Sequence, residues 1–173
     1  GCKKCGRKIM LPGKFGMVKA DFWKKQRVFI TGHTGFKGCW LALTLARLGA
    51  TIKGYALQPN TKNSIFLSTS ADNYIDSVIG DINDVEKLKS SMAVFEPDLV
   101  FHLAAQPLVS SSYDDPHETF RTNVLGTVNL LEAVRVCNSV KAIINITTDK
   151  VYENQNWSWP YREIDQLGGH DPY

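Results

Sequence analysis

One stretch constrains this chain more than any other: Gly32-His33-Thr34-Gly35-Phe36-Lys37-Gly38, with glycines at every third position. The residues before it, Arg27-Val28-Phe29-Ile30-Thr31, favour a strand. After it Trp40, Leu41, Leu45 and Leu48 recur at helical spacing until Gly49, which reads as the glycine just past a helix end. A strand, a glycine turn and a helix in that order predict a turn without Cβ atoms, backbone close to a pyrophosphate, and a helix packed tightly on its strand. An anion there would meet unpaired N–H groups and the positive end of the helix. Gly32, Thr34, Gly35, Phe36, Lys37 and Gly38 are therefore candidate cofactor-binding residues. The G-x-x-G-x-x-G spacing departs from the usual G-x-G-x-x-G. Lys37 precedes Gly38 and no G-K-S/T follows, so this is not a Walker A loop.

The rest of the chain repeats strand and helix. Thr51 to Tyr55 reads as a second strand, and residues 58–74 lack clear periodicity, leaving loop or short helix open. Ile75 to Ile79 reads as a third strand ending at Gly80-Asp81. Asp84 is a plausible N-cap for a helix with Val85, Leu88 and Met92 on one face. Leu99 to Leu103 is a fourth strand, apolar enough to be covered on both sides. The longest helix is predicted from about His117 to Cys137, with Phe120, Val124, Val128, Leu131 and Val134 marking its buried face. Ala142 to Ile146 is the fifth strand. A polar, aromatic segment with Trp157, Trp159 and Tyr161 follows and reads as a functional loop. The alternation predicts an α/β fold: a Rossmann-type parallel sheet with helices on both faces, cut before its last strand and before any substrate domain. Residues 1–20 are expected to be a flexible basic leader, and residues 21–173 a partial dinucleotide-binding domain.

Charge and composition exclude other classes. The net charge is +3, and Lys3, Lys4, Arg7, Lys8, Lys14 and Lys19 all precede the first acid, Asp21. That tail has neither a basic helix nor interleaved aromatics, so no nucleic-acid partner is expected. No apolar run of 18 residues and no secretory signal are present, so no membrane partner is expected and a cytoplasmic location follows by default. Cys2 and Cys5 form one CxxC with no second pair, so no metal is expected; Cys39 and Cys137 fall in helical patterns as small core residues.

Further candidates lie where strands end. Asp81 follows the third strand and either accepts from an adenine amino group or merely ends the strand. Ala104-Ala105-Gln106-Pro107 follows the fourth, where small residues leave room for a cofactor or allow tight packing. The second strand ends without Asp or Glu to grip a ribose hydroxyl, so the residues alone leave NAD and NADP both open. Thr148, Asp149 and Lys150 follow the fifth strand, and with Tyr173 they would bring a hydroxyl, a carboxylate, an ammonium and a phenol to the crevice. Singly, each is unremarkable.

The glycine loop with Trp40-Leu41, the run Gly54-Tyr55-Ala56-Leu57, the run Phe101 to Val109 and the run Asn123 to Ala133 together resemble the extended short-chain dehydrogenase/reductases, and within them the CDP-glucose 4,6-dehydratases. The resemblance covers about residues 22 to 173. It implies bound NAD, held by the glycine loop, Asp81, Ile82, Leu103, Ala104, Ala105, Gln106 and Asn123, with Thr148, Asp149, Lys150 and Tyr173 catalytic. It implies a nucleotide-sugar substrate and a homodimer in a full-length parent. Thr148-Asp149-Lys150 matches the CDP-glucose enzymes, whereas the dTDP-glucose enzymes have Thr-Asp-Glu. The family's Tyr-x-x-x-Lys pair begins at Tyr173, and its lysine would lie beyond the last residue, so the chain alone is expected to be inactive. The rival expectations are another sugar-nucleotide dehydratase or epimerase, and a non-catalytic dinucleotide-binding domain.

Overall fold

The computed structural model describes residues 20–59 and 61–173. The expected leader and its Cys2-Cys5 pair lie outside the described residues. Strands β1 (Arg27–Thr31), β2 (Thr51–Ala56), β3 (Asp76–Ile79), β4 (Leu99–His102) and β5 (Ala142–Asn145) form one parallel sheet in the order β3-β2-β1-β4-β5. The predicted strands are all present, with ends displaced by a residue at most. The order reverses between β1 and β4, and the carboxyl ends of strands at such a switch point open a crevice.

β1 is apolar because it is buried from both sides. Val28 and Ile30 face one cluster with Ile52, Phe66 and the inner residues Cys39, Ala42 and Leu45 of helix α2, Phe36–Arg47. Phe29 faces the other, with Tyr55, Val100 and residues of the opposite helices. Those are Leu88 and Met92 of α4 (Val85–Phe95), and Leu130 and Ala133 of α7 (Gly126–Val136). Burying each of Phe29, Leu88 and Met92 contributes about 2 kcal/mol.

Local signals explain the helix ends. Gly49 adopts φ +95° just past α2, where it and Ala50 donate back to Ala46 and Leu45. The Asp84 carboxylate accepts from Lys87 N at 3.2 Å and caps α4. Three short helices, of four, four and six residues, are too brief to leave a periodic signal: α1 (Ala20–Trp23), α3 (Ile65–Ser68) within the aperiodic 58–74 stretch, and α5 (Val109–Asp114).

The long helix departs from expectation. It starts as α6 (Pro116–Phe120), capped by the Asp115 carboxylate, passes through a wide π turn over Arg121–Leu125, and continues as α7. Of the stripe predicted to be buried, Phe120 (54%), Val124 (50%), Val128 (54%) and Leu131 (46%) are half exposed, and Val134 alone packs against the core. Thr119, Gly126, Leu130 and Ala133 face inward instead. The helix carries two apolar stripes, and the π turn adds a residue that shifts their phase, so periodicity selects the wrong one. Gly126 suits the inner face because a Cβ there would lie 2.6 Å from Ile82. Cys39 is fully buried, and Cys137 is half-buried at the end of α7. No helix among the described residues is long and apolar enough to cross a membrane.

Candidate dinucleotide-binding crevice

The three loop glycines have different duties. Gly32 has φ +74°, and a Cβ there would also lie 2.8 Å from Leu103 and Ala104 backbone atoms, so β1 and the segment after β4 meet only through a bare Cα. A Cβ on Gly38 would fall 2.1 Å from the Gly32 carbonyl oxygen, so α2 can approach the turn only here. Gly35 is the N-cap of α2, and no side chain caps that helix start. Its first N–H groups are therefore free to hold an anion. The Thr34 hydroxyl donates to the Leu57 carbonyl at 2.9 Å and ties the loop to the segment after β2.

Above the switch point lies a crevice of about 540 Å³, the size of a cofactor site. Gly32, Thr34, Gly35, Phe36, Lys37 and Gly38 line one wall; Leu103, Ala104, Ala105, Asp81 and Ile82 line the others. Tyr173 also reaches it. Gln106 and Asn123 do not. They clasp each other instead: Gln106 N donates to the Asn123 side-chain oxygen at 2.8 Å, and Asn123 Nδ2 donates to the Gln106 carbonyl at 3.1 Å. The clasp holds the segment after β4 against the π turn.

Asp81 is committed to the protein. Its Oδ1 accepts from both nitrogens of Asn83, at 2.8 and 3.1 Å, and its Oδ2 accepts from Arg121 at 3.2 Å. Although partial burial opposes ionisation, the Asn83 bonds and the Arg121 cation hold its carboxyl below the ordinary range. Arg121 also pairs with Glu118, whose carboxylate accepts from Thr122 at 2.9 Å. Glu118 and Thr122 line the crevice, as do Tyr55, Gln58, Gly80 and Thr147, none of which sequence reasoning selected. Glu118 and Thr122 stand one helical turn apart just after Asp115-Pro116, and nothing local marks that turn as facing the crevice.

Thr148, Asp149 and Lys150 form a short turn in which the Thr148 hydroxyl accepts from Lys150 N at 3.2 Å. All three lie outside the crevice lining, although Thr147 beside them is part of it. The following segment folds on itself. Glu153 N donates to the Gln166 carbonyl and Gly168 N to the Val151 carbonyl. Tyr152 stacks on Tyr161, and Trp157 packs against Trp159 and Tyr161. His170 meets the Glu153 carboxylate at 3.1 Å and accepts from the Tyr113 hydroxyl through its carbonyl. This closure returns the chain to the crevice, where Tyr173 stands. Among the described residues, no group of three or more His, Cys, Asp or Glu lies together as a metal site.

The model of the GDP-mannose 4,6-dehydratase family matches residues 29–173. The chain belongs to that family. Similar to this family member is the CDP-glucose 4,6-dehydratase of Salmonella typhimurium, 54% identical over 157 residues, which cover 91% of this chain and 44% of that protein. The CDP-paratose 2-epimerase of Salmonella typhi is 35% identical over 84% of this chain and 45% of its own. Among solved structures, the UDP-glucose 4-epimerase of Brucella ovis in complex with NAD superposes with a TM-score of 0.73 at 30% identity, covering 86% of this chain and 43% of the epimerase. The epimerase Mth375 of Methanothermobacter thermautotrophicus gives a TM-score of 0.77 at 28% identity, covering 90% and 45%. The chain thus spans less than half the length of the relatives it matches, and the fold is the Rossmann-type one they share.

Proposed function

We propose that this family member is the cofactor-binding part of an NAD-dependent nucleotide-sugar dehydratase, converting CDP-glucose to CDP-4-keto-6-deoxyglucose. The observation that carries the reading is the shared crevice: an uncapped helix start, a glycine turn without room for side chains, and a phenol all open onto it. These residues fit a dinucleotide. The pyrophosphate would lie on the N–H groups at the start of α2, with Gly32 and Ala104 beneath it and Asp81 and Ile82 beside the adenosine. NAD held there would supply a hydride acceptor for sugar C4 and a hydride donor for C6. Tyr173 takes the proton of the C4 hydroxyl, and Thr148 hydrogen-bonds the same oxygen. Asp149 and Lys150 remove the C5 proton, protonate the departing C6 hydroxyl so that it leaves as water, and return a proton to C5. Because their turn lies outside the crevice lining, substrate must draw it inward for elimination.

That placement also favours a second reading. An epimerase needs no elimination pair, and epimerases are among the solved neighbours. The half-exposed stripe of Phe120, Val124 and Val128 supports a homodimer in the whole protein. The test is to incubate the whole protein with NAD and CDP-, dTDP-, GDP- and UDP-hexoses and to follow products by mass. A product lighter by one water, fastest from CDP-glucose, is expected. Isomerisation without water loss would establish the epimerase reading in its place.

A further inference from the structure

Beneath the crevice floor runs a buried polar chain that the binding reading does not use. Thr31 ends β1 fully buried, and His102 ends β4 only 3% exposed. The Thr31 hydroxyl oxygen accepts from Leu103 N at 3.1 Å and from Ala104 N at 3.2 Å, so its own proton goes to His102 Nδ1, 2.6 Å away. Across the ring, Nε2 lies 3.1 Å from the Thr127 hydroxyl, whose proton is already given to the Asn123 carbonyl at 2.6 Å. Each hydroxyl carries one proton, so the imidazole must accept at Nδ1 and donate from Nε2. Burial pushes His102 down to about 4, which keeps it neutral at ordinary pH. The backbone of Leu103 and Ala104 is the surface on which Gly32 closes, and Asn123, where the chain of bonds ends, also clasps Gln106. One continuous path therefore fixes the floor segment at both ends.

We propose that His102 is a positioning residue for the dinucleotide: as the Nε2–H tautomer it couples Thr31 to Thr127 and sets where the Leu103–Ala105 backbone lies under the cofactor. The inference rests on the dinucleotide reading above. A histidine that merely fills core would support the fold without caring which nitrogen holds the proton, or whether an acceptor faces Thr31.

Two measurements on the whole protein separate these roles. In the unsubstituted protein at neutral pH, long-range proton–nitrogen NMR correlations should show Nδ1 bare and Nε2 protonated. NADH titration should then find His102→Leu, which offers Thr31 no acceptor, weakened roughly tenfold, the worth of one buried hydrogen bond. His102→Asn places an amide oxygen at the Nδ1 position and should recover most of that affinity, even though its smaller side chain leaves it no more stable to heat than the leucine variant. A protonated Nδ1, unchanged NADH affinity in His102→Leu, or affinities that simply follow melting temperature in the two variants would each overturn the proposal. Failure of the unsubstituted protein to bind NADH would sink the dinucleotide reading itself, whereas normal binding with the wrong tautomer would sink only the role of His102.

Discussion

The two sides of the crevice are built differently. The glycine turn, the ends of β1 and β4 and the π turn are locked by buried contacts: bare Cα atoms against backbone, a threonine and histidine path, and an amide clasp. The segment after β5 is held mainly by its own exposed bonds and stacked rings, with the Tyr113 hydroxyl as a tether from outside it. One side is preformed before any ligand arrives. The other carries the hydroxyl, carboxylate and ammonium of Thr148, Asp149 and Lys150 outside the lining. On the proposed function, cofactor binding and chemistry fall to regions of unequal rigidity.

Acid should break the contrast most strongly. His33 and His102 are both buried, and burial pushes each from 6.5 down to about 4. Between those values the unfolded chain binds protons that the folded one excludes. Stability is therefore complete above about pH 6.5 and falls as pH drops toward 4, by roughly 3 kcal/mol per histidine. Urea midpoints at pH 7, 5.5 and 4.5 should decline steadily; a flat profile across that window would mean that neither ring is desolvated. Gly38→Ala comes next. Its methyl would meet the Gly32 carbonyl and the His33 Cα, all main chain, and should cost about 3 kcal/mol together with NADH binding. A variant that melts normally and binds NADH would show that α2 can withdraw. The smallest effect belongs to the opposite side. Tyr161→Ser removes two ring contacts and the hydroxyl bond that accepts from Gln155 N at 2.9 Å. Global stability should fall by about 1 kcal/mol or less, while amide exchange at Glu153 and Gly168 accelerates well ahead of exchange in β1. Equal acceleration in β1 would mean that the two regions unfold as one.

The same division governed what could be read from residues alone. β1, the glycine turn, Gly49 and the Asp84 cap were legible because each is decided within a few residues by φ, by a missing Cβ or by a short carboxylate bond. Both apolar stripes of the long helix have the right period, and only the sheet and the π turn decide between them. Asn123 was selected for the crevice yet serves as a clasp, since its partner Gln106 is 17 residues away and nothing local announces the pair. Glu118 and Thr122 were overlooked because the sequence does not say which turn of that helix overlooks the cofactor site.

At the far end of the sheet, Asp98 takes Arg27 N at 2.9 Å on one oxygen and Lys141 Nζ at 2.7 Å on the other. It therefore joins the beginnings of β1, β4 and β5, opposite the reactive end. The Lys141 and Arg27 bonds hold its carboxyl below the ordinary range. Anyone wishing to harden this scaffold for use as a biocatalyst has a natural workbench there: replacements around the 27, 98 and 141 cluster can be screened by melting alone, with the substrate end left untouched.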